Sequence, residues 1–370
     1  MAPELLTGEA ALQAICFKSQ LSLARNVAGL PFASAKEPNA TTLTQVQRWS
    51  HILQHHFGFE DVTADATLKA QGVRIYDFTP TEERTAAYRL LRLTCVLNQK
   101  PYTLWCELMT ENHFTFSTTI HTLDFEEQLR VLEALADEVA THIRFAYDMR
   151  WGYLTAEPTR TGSGLQICSW VHLLGLKLSD AIQQTLNAAE VKGVFGEKAM
   201  LYESGTSEFY IFCNRFSINL PPHQIVRDYK TFLLRLAQQE IKARYRLAYD
   251  NIAAFYDLLN RTRLLCQQAC VQPPEECINF LSAYWTACTV GAFIPLHSEC
   301  YDFTTCFDDL ADECCQEKLR SFLREEDIQA LPKLFQKMFE KNDADVLRAL
   351  WLRSLGEVTF SPDFIKRIQQ

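Results

Sequence analysis

The sequence predicts an α+β protein, with mixed strands and helices over residues 1–254 and an α-helical unit over 255–370. Three observations carry that expectation. Short strand-like runs, Tyr102 to Met109, Phe114 to Ile120 and Glu208 to Cys213, lie among helical stretches in the first unit. From Pro221 a helical pattern runs almost unbroken to about Cys270, and beyond the break at Pro273-Pro274 the remainder is again helical with two short interruptions. The chain has 370 residues, 48% hydrophobic and 22% charged, which is the composition of a globular protein long enough for two packed units.

Taken in order, the first amphipathic helix fits Thr41 to Phe57, where Leu43, Val46, Trp49, Leu53 and Phe57 share a stripe and Gly58 ends it. His51 and His55 share a face of it at i, i+4, but no third metal ligand lies near them in sequence. Thr79-Pro80-Thr81-Glu82-Glu83 has the chemistry of an N-terminal cap and opens a second predicted helix through Leu93. The strands at 102–109 and 114–120 flank Thr110-Glu111-Asn112-His113. Asp124 to Phe145 reads as a long helix with leucines at 129, 132 and 135, and Leu178 to Val191 as another. The sequence holds no internal repeat and no low-complexity tract.

Charge and composition narrow the function classes. A net charge of -9 argues against nucleic acid as the main partner, since phosphate binding needs a basic surface. Met1-Ala-Pro-Glu-Leu-Leu-Thr-Gly-Glu lacks the basic and apolar regions of a signal peptide, and no run approaches the roughly 18 apolar residues of a membrane span. The expected compartment is the cytoplasm. Of thirteen cysteines, eight (Cys266, Cys270, Cys277, Cys288, Cys300, Cys306, Cys314, Cys315) crowd the C-terminal third with no Cys-x-x-Cys knuckle. They read as buried reduced thiols, with a zinc site or a redox or metal sensor as the alternative.

The most informative segment is Gly152-Tyr-Leu-Thr-Ala-Glu-Pro-Thr-Arg-Thr-Gly-Ser-Gly-Leu-Gln166. It resembles the active-site signature of the guanidino-phosphotransferases (ATP:guanido kinases), in particular their bacterial protein-arginine kinase branch. That family continues its Gly-Tyr-Leu-Thr run with Cys-Pro-Thr-Asn, a glycine turn and an arginine. Here Pro158, Thr159, Gly162 and Gly164 match, while Glu157 replaces the cysteine, Arg160 the asparagine and Gln166 the arginine. The resemblance covers about residues 17 to 230 well and the rest more loosely. It implies an antiparallel sheet flanked by helices, glutamine-synthetase-like, followed by a helical dimerisation and regulatory domain.

Four further segments extend the resemblance. Ser19-Gln-Leu-Ser-Leu-Ala-Arg-Asn26 is similar to the family's Ser-Arg-x-Arg-Leu-Ala-Arg-Asn, so Gln20 and Ser22 stand where phosphate-holding arginines would, while Arg25 and Asn26 match. Glu111-Asn-His-Phe-Thr115 is similar to Asn-Glu-Glu-Asp-His-x-Arg; it retains the catalytic carboxylate as Glu111 and has Thr115 in place of another arginine. Lys192-Gly-Val-Phe-Gly-Glu197 is similar to Arg-Gly-Thr-x-Gly-Glu, but the second substrate carboxylate would fall at Met200 unless Glu203 fills the role. Asp343-Ala-Asp-Val-Leu-Arg-Ala349 is similar to a phosphoarginine-reading motif, with Asp345 and Arg348 matching, and an ordinary helix-surface pair is the competing reading. His172 also agrees with the bacterial branch, although a packing role is equally open to it.

Phosphoryl transfer depends on cations around the phosphates and a base near the nucleophile. Gln20, Ser22, Thr115 and Gln166 replace charged donors worth roughly 1.5–3 kcal/mol each. A total loss of roughly 5–10 kcal/mol is comparable to the whole binding energy of a micromolar ligand. The sequence therefore predicts a pseudokinase needing no cofactor, which binds arginine- or phosphoarginine-bearing proteins or a kinase activator. Arg25, Arg160 and Lys192 are the candidate substitute phosphate ligands. The alternative is an active protein-arginine kinase using Mg-ATP, with Glu111 as base, Glu157 against the guanidinium and Arg160 on phosphate. By resemblance alone, the partners would be a second copy of the chain, a zinc-containing activator protein and a Clp-type protease system.

Overall fold

The computed structural model describes residues 5–32, 40–64, 86–97, 99–120, 124–199, 208–294, 328–329, 332–340, 343–354 and 358–369. Its centre is an eight-stranded sheet in the order β2-β3-β4-β5-β1-β8-β10-β9, with every neighbouring pair antiparallel. The strands are β1 (Cys16–Arg25), β2 (Glu60–Asp61), β3 (Arg89–Leu97), β4 (Lys100–Leu108), β5 (Phe114–Ile120), β8 (Leu165–His172), β9 (Val194–Lys198) and β10 (Phe209–Asn214). A separate hairpin joins β6 (Tyr147–Asp148) to β7 (Gly152–Tyr153). Around the sheet lie α1 (Gly8–Gln13), α2 (Ala40–Phe57), α3 (Phe125–Ala140), α4 (Leu174–Leu178), α5 (Ile182–Val191) and α6 (Pro222–Asp250). Then follow α7 (Ile252–Gln268), α8 (Pro274–Thr289), α9 (Lys333–Glu340), α10 (Ala344–Ser354) and α11 (Pro362–Ile368).

Strand periodicity assigns the two faces of the sheet. Leu21 and Leu23 of β1, Phe114 and Phe116 of β5, and Leu165 and Ile167 of β8 turn toward α3 and α6 and form the main core. Gln20, Ser22 and Ala24 turn to the other side. A second core gathers Phe255, Leu259, Leu281, Tyr284, Trp351 and Phe364 from α7, α8, α10 and α11. Phe17 and Phe209 of the sheet meet Trp285 of α8 in edge and tilted ring contacts. Among the described residues no helix is long and apolar enough to cross a membrane.

Several expectations are corrected. The helix predicted through Leu93 gives way to β3, which pairs with β4 from Arg89↔Leu108 to Leu97↔Lys100; the capping segment 79–85 lies outside the described residues. Leu90, Leu91 and Leu93 suit a helical stripe as well as a strand, and a full ladder to β4 outweighs that local preference. β1, β8 and β9 were not foreseen as strands. The helix after Asp124 ends at Ala140, and Phe145 makes an isolated bridge to Val27. The long run from Pro221 breaks at Asn251, whose φ of -126° is not helical.

The cysteines also divide. Cys168 of β8 and Cys213 of β10, outside the eight cysteines read as reduced thiols, are cross-strand partners joined by a disulfide. Cys106 and Cys277 are buried and outside any disulfide, and burial pushes the thiols of Cys16 and Cys288 up to about 11, which makes them poor nucleophiles. Cys300, Cys306, Cys314, Cys315 and the side chain of Cys266 lie outside the described residues. The rings of His51 and His55 lie with centroids 4.0 Å apart, tilted by 32°.

Candidate functional site

The four altered clamp positions converge on the sheet. Ser22 lies opposite Gln166 on one side and Ser117 on the other, Ala24 lies opposite Thr115, and Gln20 lies opposite Cys168 and Thr119. With strands about 4.8 Å apart, these side chains form one patch on the face opposite the main core. The patch consists of hydroxyls, amides, sulfur and a methyl group. Gln20 is 5% exposed, Thr115 6% and Ser117 0%, while Ser22 and Gln166 are half-buried. The Thr115 hydroxyl shares a 3.2 Å hydrogen bond with that of Thr110.

The signature loop is shaped by glycines. Tyr153 and Gly162 exchange backbone hydrogen bonds of 2.8 and 2.9 Å. A Cβ at Gly152 (φ +80°) would lie 2.7 Å from the Gly162 carbonyl oxygen, and one at Gly164 (φ +69°) 2.5 Å from that of Ala24. Between them Pro158–Arg160 makes a single 3-10 turn. Ser217 fastens that turn, its hydroxyl donating to the Arg160 carbonyl at 2.7 Å and its amide to that of Thr159 at 3.0 Å.

Within this turn the two substituted charges face each other. Arg160 Nε lies 2.8 Å from Glu157 Oε2, and the Thr159 hydroxyl donates to Glu157 Oε1 at 2.7 Å. The predicted guanidinium ligand and the predicted phosphate ligand thus engage one another, because three residues of a tight turn put them on the same side. Both remain part-exposed.

The Glu111 turn is tied to this loop by two asparagines that the sequence reading did not assign as a pair. Asn26 Nδ2 donates to Asn112 Oδ1 at 2.7 Å, and Asn26 Oδ1 accepts from the His113 amide at 2.9 Å. Asn112 Oδ1 also accepts from the Ala156 amide at 2.9 Å, next to Glu157. His113 Nδ1 accepts from the Val27 amide at 3.1 Å; burial lowers its pKa and favours the neutral ring that this bond requires. Glu111 is exposed at the tip of this fixed turn.

Other predicted site residues lie elsewhere or are engaged. Arg25 belongs to the core-facing set of β1, with Nη1 donating to the carbonyls of Ala24 and Ser163 at 2.8 Å each. Its guanidinium sits 3.7 Å from the Tyr153 ring centroid, and burial draws its pKa down to about 10. It is a strut between β1 and the loop, pointing away from the Ser22 face. His172 is fully buried among Arg244, Ser282 and Trp285, so it is a packing residue and touches no open cleft. Lys192 is exposed beyond α5, lining a groove against α6. Glu203 lies outside the described residues.

Asp345 and Arg348 pair on α10, where Arg348 Nε also donates to the Gln272 carbonyl at 3.1 Å and Gln272 N donates to the Asp345 carbonyl at 3.0 Å. Arg348 is 5% exposed. The pair anchors the segment between α7 and α8, with Arg348 buried rather than on the helix surface.

Comparison with known proteins agrees with this architecture. Residues 85–243 match the family model of the ATP:guanido phosphotransferase C-terminal catalytic domain. The protein-arginine kinase of Clostridium acetobutylicum is 20% identical over 348 residues, covering 92% of this chain and 95% of that one. That of Moorella thermoacetica is 26% identical over 281 residues, covering 70% and 77%. Among solved structures, the duplicated taurocyamine kinase of Schistosoma mansoni, with bound transition-state analogue components, superposes with a TM-score of 0.51 at 14% identity. That match covers 70% of this chain and 38% of the longer duplicated one, and it speaks to the fold alone. With its antiparallel sheet, its glycine-shaped signature loop and these relatives, the chain is similar to the ATP:guanido phosphotransferases, by the family model over residues 85–243 and by its protein-arginine kinase relatives over most of its length.

Proposed function

We propose that this protein acts by binding, as a regulatory or scaffolding pseudokinase that engages arginine-bearing proteins or a kinase-activator partner. One observation carries the reading: Gln20, Ser22, Thr115 and Gln166 meet on one patch of the sheet with no cation at any of the four positions. A nucleoside triphosphate needs several fixed positive donors around its phosphates. Uncharged amides and hydroxyls do not supply them, and Arg25 and Arg160, the nearest candidate replacements in sequence, are occupied.

What supports recognition of arginine is the pair of exposed carboxylates beside the loop, Glu111 and Glu157, the latter held by Arg160. The partners that the resemblance brings, a second copy, a zinc-containing activator and a Clp-type protease, belong to this proposal. Thermal unfolding with and without Mg-ATP tests it. A ligand at a hundred times its Kd stabilises by about 2.7 kcal/mol, so saturable stabilisation by millimolar Mg-ATP sinks the reading and its absence supports it.

A second reading has its own support, since the relatives carry the name protein-arginine kinase and Glu111 keeps the place of the catalytic carboxylate. In that case labelled ATP and an arginine-rich protein give an acid-labile product. Glu111→Ala must abolish it.

A further inference from the structure

The groove between α5 and α6 concentrates cations in a chain whose net charge is -9. Three cavities of about 440, 260 and 470 Å³ adjoin along it. The first and second share Thr185, Ala188, Gln239 and Lys242; the second and third share Lys192, Phe232 and Arg235. Arg235, Lys242 and Arg246 fall at i, i+7 and i+11 on one face of α6, spanning about 17 Å at 1.5 Å rise per residue. Lys192 joins them from the end of α5.

All four cations are exposed, and among the described residues none forms an ion pair; nearby Arg215 and Lys230 do, with Glu190 and Glu9. Asp228 is the one carboxylate among the residues lining the three cavities. The small side chains of Ala181, Thr185 and Ala188 leave the space between the helices open. At its far end the groove turns apolar, with Phe216 40% and Leu220 38% exposed beside buried Phe232. None of the clamp positions, the Glu111 turn or residues 152–164 lines it.

We propose that this groove docks an acidic segment of a partner protein. The segment places one large apolar side chain between Phe216 and Phe232 and runs its carboxylates past Lys192, Arg235, Lys242 and Arg246. Charge complementarity names the sign of the partner. The spread of the cations along about 17 Å, rather than around one point, favours a chain over a small anion. The apolar end and the acidic remainder of the molecule disfavour a nucleic acid.

The probe is a fluorescein-labelled synthetic peptide with one phenylalanine followed by glutamates alternating with serines, read by fluorescence anisotropy. Saturable binding is expected, lost with a lysine-for-glutamate analogue and weakened by about tenfold or more in the double variant Lys242→Glu, Arg246→Glu. Ala188→Trp, which fills the groove without changing charge, weakens it as well. All three positions are exposed, so unchanged thermal unfolding of the variants separates loss of binding from loss of fold. Four results overturn the proposal: no binding, equal binding of the lysine peptide, indifference to both variants, or full displacement by equimolar tripolyphosphate or an oligothymidylate.

Discussion

Arg244 fixes the tautomer of His172: its Nη2 lies 2.8 Å from His172 Nδ1 and donates to the His172 carbonyl at 3.0 Å. A guanidinium can only donate, so Nδ1 accepts and the ring proton sits on Nε2, 2.6 Å from the Ser282 hydroxyl. Nη1 reaches the Ala14 carbonyl at 3.1 Å and the Thr289 hydroxyl at 3.0 Å, and Nε reaches Glu240 at 2.6 Å. One buried side chain therefore links α1, β8, α6 and α8. The sheet and the helical unit share this polar joint as well as the Phe17–Trp285 contact.

Stability should fall as pH drops below about 6.5, in part through His172. Burial first, then the neighbouring Arg244 charge, hold its folded pKa well below the ordinary value. Between the two pKa values the unfolded chain binds a proton that the folded chain does not, so unfolding gains about 1.4 kcal/mol per pH unit on acidification. His172→Gln is expected to remove that share of the slope in urea titrations at pH 7 and pH 5. His113, also shifted down by burial, leaves its own share in both proteins. Identical slopes for wild type and variant would contradict the assignment.

Removing Glu240 should cost more than any surface pair in the molecule. Its Oε1 accepts from Arg244 and from the Gly175 amide at 2.8 Å, and its Oε2 from the Leu176 amide at 2.8 Å, so it also closes the start of α4. Both charges of the pair are 0% exposed. Glu240→Ala leaves a buried cation and two amides without their acceptor, a loss of about 3–5 kcal/mol. Replacing the exposed partner in Arg261–Asp257 is expected to cost less than about 1 kcal/mol. Denaturant midpoints of the two variants, measured side by side, give the comparison.

Helical periodicity made α2 and α3 legible in the sequence: Val46, Trp49 and Leu53 are buried as one stripe, as are Leu129 and Leu132. β8 gave no such signal because it is buried on both faces, Ile167 toward the main core and Cys168 toward the other side. β1 does alternate, Gln20 and Ser22 against Leu21 and Leu23, a period-two pattern that coincides with the motif at residues 19–26. The clamp positions were locatable because motifs are local. The Asn26–Asn112 tether and the Cys168–Cys213 pairing join residues 86 and 45 positions apart, and nothing in either neighbourhood marks them. Charge partners are less legible: the spacing of three between Glu157 and Arg160 allows the pair, but only the tight turn at Pro158–Arg160 brings it about.

Gly164→Ala should loosen the signature loop from the sheet. The site has φ +69°, and the added Cβ would stand 2.5 Å from the Ala24 carbonyl oxygen and 2.9 Å from Arg25 Nη1. Left-handed strain alone costs about 1–3 kcal/mol. The clash also threatens the 2.9 Å hydrogen bond from the Ala24 amide to the Gly164 carbonyl. Faster hydrogen exchange at Ala24 is the expected readout. Unchanged protection there would mean that the loop tolerates the side chain by shifting as a body.

Arg160→Ala should change stability little and recognition more. The Glu157–Arg160 pair is part-exposed, with side chains 52% and 24% accessible, so its loss is worth about 1 kcal/mol or less in unfolding. It nonetheless occupies the carboxylate that stands where the family has its cysteine. Freed of Arg160, Glu157 keeps only the Thr159 hydroxyl at 2.7 Å and faces solvent with a full charge. Calorimetric titration with an arginine-rich peptide should then show tighter binding to Arg160→Ala than to the wild type. Glu157→Gln should bind no better than the wild type, and the double variant should lose the gain. Equal affinities across all four proteins would remove Glu157 from any arginine-binding role and leave Glu111 as the sole carboxylate candidate beside the loop.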